Sequence, residues 1–131
     1  MTPTVLLVED EPAVRAMLRA LLTSQGLEVV GTADSPVGAL PLWVTHRPDV
    51  TVIDLEIGGA SGADLVRRIL RIDSHAELLL YSGCMDVAKL AAARLCGARA
   101  VIRKSACFDE LLAEVEAAAG TARRSSALSA A

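Results

Sequence analysis

A parallel α/β sheet covered by helices on both faces is predicted by two features of the sequence. Short β-branched runs alternate with longer segments of helical period, five times over. Apolar residues make up 53% of the chain, yet Trp, Tyr and Phe occur only once each. The core must therefore be built from Leu, Val, Ile and Ala, which suits parallel strands buried on both sides. A βαβαβ succession with short connections implies right-handed crossovers.

The first strand is expected near 4–9, around Val5-Leu6-Leu7-Val8. Pro12 opens a helix near 12–25, where its missing N–H costs nothing; Val14, Met17, Leu18, Leu21 and Leu22 form its core-facing stripe. A strand near 28–33 and a helix near 36–46 follow. The third strand, near 49–54, carries Val50-Thr51-Val52-Ile53 and leads through glycines to a helix near 62–72 with Leu65, Val66, Ile69 and Leu70 inward. Leu78-Leu79-Leu80-Tyr81 marks a strand near 77–82, followed by a helix near 86–95. Val101-Ile102-Arg103 marks the last strand, near 99–103, before a helix near 107–119. Gly26, Gly97 and Gly120 are expected to stop the first, fourth and fifth helices in the left-handed conformation.

The 131 residues fit one domain, which should bury a little under ~70% of the surface its unfolded form exposes. That domain is expected to occupy residues 1–120, with 121–131, including Arg123 and Arg124, forming a solvated flexible tail or the start of a linker. A formal charge of −3 leaves no basic footprint, so nucleic-acid binding is not expected. Cys84, Cys96 and Cys107 are odd in number and lack CxxC spacing, so buried reduced thiols are expected rather than disulfides or a zinc site. Without a signal peptide or a run approaching the roughly 18 apolar residues of a membrane span, a cytoplasmic location follows. His46 and His75 lack clustered ligands, and Trp43 and Phe108 are expected to pack rather than stack on bases.

Chemistry concentrates just past the strand ends. Glu9 and Asp10 follow the first strand, Asp54 the third, Ser82 the fourth and Lys104 the fifth. In open α/β sheets ligands bind in the crevice outside the carboxyl ends of the strands, so these five side chains should converge. Acids at a helix start can merely complement its dipole, and Asp54 alone could be a nucleophile, a metal ligand or a cap. Together they ask for more. Two unit charges about 4 Å apart interact by roughly 4 kcal/mol at an effective dielectric of 20, so clustered carboxylates must protonate or recruit cations. Lys104 supplies one charge, and Mg²⁺, which favours one or two carboxylates together with phosphate oxygens, suits the second.

Glu9-Asp10, Asp54 with Leu55 behind it and Gly62 eight positions on, Ser82-Gly83, and Gly97-Ala98 followed by Lys104 resemble the receiver domain of bacterial two-component response regulators. The resemblance spans about residues 4–119 and implies a flavodoxin-like, doubly wound sheet of order 2-1-3-4-5 with five helices. It implies a phosphoacceptor rather than an enzyme, with Asp54 taking a phosphoryl group from a sensor histidine kinase or phosphotransfer protein. Mg²⁺ would be held by Asp10 and Asp54, by Glu9 through water, and by the main-chain carbonyl of Glu56. Lys104 would pair with the phosphoryl group, the Ser82 hydroxyl would donate to it, and the Gly83 amide would add a donor.

In the family the readout passes to the face made by the fourth helix, fifth strand and fifth helix. Here that face would draw on Lys89, Ala92, Ala93, Arg99 and Val101 and would form or release a homodimer or partner contact. Four positions depart from the family pattern. Val101 stands where the switch aromatic is common, and Gly58 replaces a common Pro, which predicts a looser Gly58-Gly59-Ala60 loop. Ser105 replaces a Pro that often follows a cis bond; at a non-proline the cis form costs about 2.5–4 kcal/mol, so trans is expected. The Glu56 side chain is expected in solvent, although it could overhang the site. Two other readings stand beside the receiver: a small Asp-nucleophile phosphohydrolase, weakened by Asp54-Leu55-Glu56 not being DxD, and a phosphorylation-independent interaction module.

Overall fold

The computed structural model describes residues 2–84, 86–104 and 107–130, with side chains through residue 125. Alternating runs and helical segments become β1 (Thr4–Val8), α1 (Pro12–Ser24), β2 (Glu28–Ala33), α2 (Pro36–His46) and β3 (Val50–Asp54). The chain continues with β4 (Glu56–Ile57), β5 (Ala60–Ser61), α3 (Gly62–Ile72), β6 (Leu78–Ser82), α4 (Val87–Arg94), β7 (Ala100–Arg103) and α5 (Phe108–Ala130). The main sheet is parallel throughout, in the order β2-β1-β3-β6-β7. This is the anticipated 2-1-3-4-5 order once the small β4–β5 ribbon is set aside.

Because successive strand residues point to opposite faces, the sheet divides the core in two. Leu6, Val8, Ile53, Leu78 and Leu80 pack against Trp43 of α2, Leu65, Val66 and Ile69 of α3, and Leu90 of α4. Val5, Leu7, Val52, Leu79 and Ile102 pack on the other side against Leu18 and Leu22 of α1 and Leu111 and Val115 of α5. Trp43 is buried beneath the Arg47 guanidinium, 4.4 Å from its ring centroid, and Phe108 packs at the edge of the second cluster, so both are packing residues as expected. Met17 does not join the core: the stripe of α1 narrows to Leu18 and Leu22, and Met17 is half-exposed.

Gly26 and Gly97 follow α1 and α4 with φ of 82° and 103°, in the stop conformation predicted for them. Gly120 instead lies inside α5, which runs on to Ala130. A glycine costs a helix roughly 1 kcal/mol relative to Ala, and here Ala117, Ala118, Ala119 and Ala122 surround it. Tertiary contacts also hold the extension. Arg99 donates to Thr121 Oγ1 at 3.2 Å, and Arg123 lies 3.7 Å from Asp49 Oδ2. Arg123 is thus docked rather than part of a free solvated tail. Ser105 lies outside the described residues, and with it the cis–trans question at Lys104–Ser105.

The β4–β5 ribbon corrects the expectation of a loose loop after Asp54. Glu56 pairs with Ser61 and Ile57 with Ala60 in an antiparallel hairpin. Gly58 and Gly59 form its two-residue turn with φ of 54° and 86°, the positive values that a tight hairpin of matching twist requires at both positions. Two residues of Gly-Gly between short extended pairs are a hairpin signal, obscured here by the brevity of the strands.

Candidate phosphoryl-acceptor site

Each chemical side chain sits where its strand stops. Asp54 is the last residue of β3 and Ser82 the last of β6. Glu9 follows β1, and its N–H donates to Ala33 O at 2.9 Å, carrying the β1–β2 pairing one residue further. The N–H of Lys104 donates to Ser82 O at 2.7 Å and does the same for β6 and β7. Backbone pairing therefore delivers all four to one edge of the sheet. Together with Asp10, Glu11, Glu56, Gly83 and Cys84 they line a cleft of about 280 Å³.

Glu9 is 1% exposed, Ser82 1% and Asp54 6%, whereas Asp10 is exposed. Such burial of two carboxylates requires compensation. Lys104 Nζ supplies it, lying 2.9 Å from Glu9 Oε1 and 3.1 Å from Asp54 Oδ2. Burial would lower the lysine's proton affinity, but contact with Glu9 and Asp54 outweighs this and its pKa is raised. For Asp54 the balance runs the other way: desolvation and the neighbouring Glu9 push its pKa up to about 7, against the pull of Lys104. Asp10 is shifted down, chiefly because it accepts a hydrogen bond from the Gly58 N–H at 2.9 Å.

The acids are not helix caps. Glu11 is the N-cap of α1 and makes no side-chain capping bond. At the helix start Glu9 Oε2 accepts from the Glu11 N–H at 3.4 Å, while Arg15 Nη1 donates to the Glu9 carbonyl at 2.8 Å and fixes the main chain at the end of β1. Ser82 Oγ accepts from the Cys84 N–H at 2.9 Å, which leaves the hydroxyl hydrogen free to donate. The Glu56 N–H faces Asp54 Oδ1 at 3.3 Å, and its side chain is exposed at the rim of the cleft, the orientation expected for it.

Gly62 explains its own spacing from Asp54. A Cβ there would collide with the Asp54 carbonyl and come within 2.9 Å of Ile53 Cγ2, so only glycine lets α3 start this close to the end of β3. Ser61 caps α3, accepting from the Ala63 N–H at 3.2 Å. Tyr81 packs in the second core cluster with its ring centroid 5.7 Å from Lys104 Nζ.

One oxygen each from Glu9, Asp10 and Asp54 lie within 4.8 Å of one another. Glu9 Oε1 is buried and lacks an aligned hydrogen bond despite its nearness to the ammonium. An under-satisfied carboxylate oxygen among hard oxygen donors fits a small divalent cation such as Mg²⁺.

Several expectations need adjustment. Among the cysteines only Cys96 is buried; Cys84 is half-buried on the cleft wall and Cys107 is exposed, all three as free thiols. Ala93 is 3% exposed and belongs to the core, not to the α4–β7–α5 surface. Arg99 on that surface is engaged, 3.3 Å from Glu77 Oε2 and 3.5 Å from Glu114 Oε2. Val101 is half-buried against the core cluster that includes α4. His46 and His75 are exposed, away from the cleft. The sequence reading missed the Arg15 and Gly58 contacts with the acidic loop because both depend on how the chain folds back in space.

Comparison with known proteins agrees with this geometry. A family model described as the response regulator receiver domain matches residues 5–116. The chain belongs to that family, the receiver domains of two-component response regulators. It is 30% identical over 100 residues to the chemotaxis protein CheY of Thermotoga maritima, covering 76% of this chain and 83% of CheY. It is 35% identical over 114 residues to the transcriptional regulatory protein KdpE of Mycobacterium tuberculosis, covering 87% of this chain but only 50% of KdpE. The crystal structure of a two-component response regulator of the LuxR family from Aurantimonas sp. SI85-9A1 superposes with a TM-score of 0.85 at 30% identity, over 92% of this chain and 86% of that one. No described helix is long and apolar enough to cross a membrane.

Proposed function

We propose that the chain is a phosphorylation switch whose Asp54 accepts a phosphoryl group from a phosphohistidine of a sensor kinase or phosphotransfer protein in the cytoplasm. The observation that carries this reading is Lys104 Nζ bridging Asp54 and buried Glu9 at the mouth of a cleft that Ser82 also lines. In the transfer, an Asp54 carboxylate oxygen forms the new O–P bond as the N–P bond to histidine breaks, and the bonding pair leaves with the imidazole. Such transfers need in-line positioning and charge compensation more than covalent assistance.

Glu9, Asp10 and Asp54, with the Glu56 carbonyl, would hold Mg²⁺. When bound, the ion supplies positive charge that keeps Asp54 ionised and offsets the charge of the transferred oxygens. Lys104 pairs with the phosphoryl group, and Ser82 donates its free hydroxyl hydrogen. Ser82 and Val101 then act as the switch, carrying the change toward the α4–β7–α5 face and a homodimer or partner contact there. Residues 1–120 form the switch, and α5 leads out of it over residues 121–130.

Incubation with Mg²⁺ and a small acyl phosphate, followed by intact-mass measurement, tests this. A labile phosphoryl adduct is expected on the unaltered chain and not on Asp54→Asn. Rapid turnover of phosphomonoesters would point to a hydrolase, and no adduct at all to a passive interaction module.

A further inference from the structure

The β4–β5 ribbon approaches the acidic cleft with its backbone. Two N–H groups one residue apart face two carboxylates from different strand ends: Glu56 N–H toward Asp54 Oδ1 at 3.3 Å, and Gly58 N–H to Asp10 Oδ2 at 2.9 Å. Asp10 and Gly58 are 48 positions apart, so this bond pins the ribbon to the loop after β1. The tight turn presents this amide at its first position, with φ of 54° at Gly58 and 86° at Gly59.

Asp10 is the exposed member of the acid trio, while Glu9 and Asp54 are held by burial and by Lys104. An exposed carboxylate with free rotamers would lose conformational entropy on meeting a cation. A carboxylate offers about four acceptor positions, so the amide can orient Asp10 and still leave lone pairs for an ion. Glu9 Oε1 is already paired with Lys104 at 2.9 Å, so Asp10 is the acid left to be oriented.

We propose that the Gly58 main-chain amide is a positioning group for cation binding, holding Asp10 where it can share one divalent ion with Glu9 and Asp54. This rests on the metal-dependent reading above. Hydrogen-bond partners of metal-ligating carboxylates typically change affinity 10–100-fold when removed.

Replacing the Ile57–Gly58 amide by an ester through semisynthesis removes the N–H and leaves the φ of 54° accessible, whereas Gly58→Pro would exclude that φ and Gly58→Ala would strain it although a Cβ there meets no atom within 4 Å. Calorimetric titration with Mg²⁺ alone should show affinity about tenfold weaker for the ester than for the unaltered chain. Equal affinity of the two overturns the inference. Should the ester chain fail to fold, hydrogen exchange of the Gly58 amide in the unaltered chain decides: slowed exchange is expected with and without Mg²⁺, and exchange at the free-amide rate overturns it. If the unaltered chain binds no Mg²⁺, the metal-dependent reading falls and takes this inference with it; binding that ignores the amide removes the inference alone.

Discussion

Asp54 is held in a compromise between burial and Glu9, which disfavour its charge, and Lys104, which favours it. Its folded pKa of about 7 lies above its ordinary value of 3.8. Between those values the folded chain holds a proton that the unfolded chain has released, so this residue's contribution to stability falls as pH rises from about 4 to 7 and is fully lost above that. In metal-free buffer the melting temperature of the unaltered chain should therefore drop between pH 5 and pH 8 relative to that of Asp54→Asn. Equal pH profiles for the two proteins would show that burial and Glu9 do not hold a proton on Asp54. Gly62 is a residue-scale matter of a different kind. A Cβ there meets backbone, which cannot step aside as a side-chain tip can. Overpacking of this sort costs about 1–3 kcal/mol, so Gly62→Ala should lower the urea midpoint by a corresponding amount and slow adduct formation at the displaced Asp54.

At the scale of elements, caps and turns set where each helix begins and so how the loops meet the cleft. Asp86 caps α4, its Oδ1 accepting from the N–H groups of Ala88 and Lys89 at 2.9 and 3.2 Å. Replacing such a cap by Ala typically costs about 1 kcal/mol, which Asp86→Ala should show in chemical denaturation. Because α4 begins soon after Ser82, the same variant should fray the helix start that follows the proposed switch residue. Gly97 is constrained twice, by its φ of 103° and by Leu70 Cδ1, 2.6 Å from where a Cβ would stand. The element that departs most from expectation is α5. Gly120 looked like a stop because glycine commonly follows helices, yet its alanine-rich neighbours and the contacts at Thr121 and Arg123 carry the helix through.

Across the whole molecule, phosphorylation matters only if one surface differs between the two states. α4 and its C-cap leave Val87 77% and Leu95 86% exposed, large apolar side chains beside the proposed output face. With Mg²⁺ and an acyl phosphate, sedimentation velocity should show association of the unaltered chain, and the double change Val87→Glu, Leu95→Glu should abolish it while leaving the adduct mass unchanged. Identical sedimentation with and without phosphoryl donor would count against a phosphorylation-controlled homodimer.

The strand pattern, the parallel sense of the sheet and the convergence of Glu9, Asp54, Ser82 and Lys104 were legible from residue order, whereas the strand order followed from the family resemblance. Hydrophobic period is a local property, and parallel strands bring their carboxyl ends to one edge however far apart they lie in the chain. Residue order could not show that Glu9 is buried while adjacent Asp10 is exposed, that Lys104 lies about as close to Glu9 as to Asp54, or that Gly58 reaches back to Asp10. Nor could it show that α5 passes through Gly120. Each of these turns on which groups meet through space, where a shift of an ångström decides whether a charge is paired. Folding therefore sets the balance of charge in the cleft, whereas the strand ends that build the cleft are written in the periodicity of the chain.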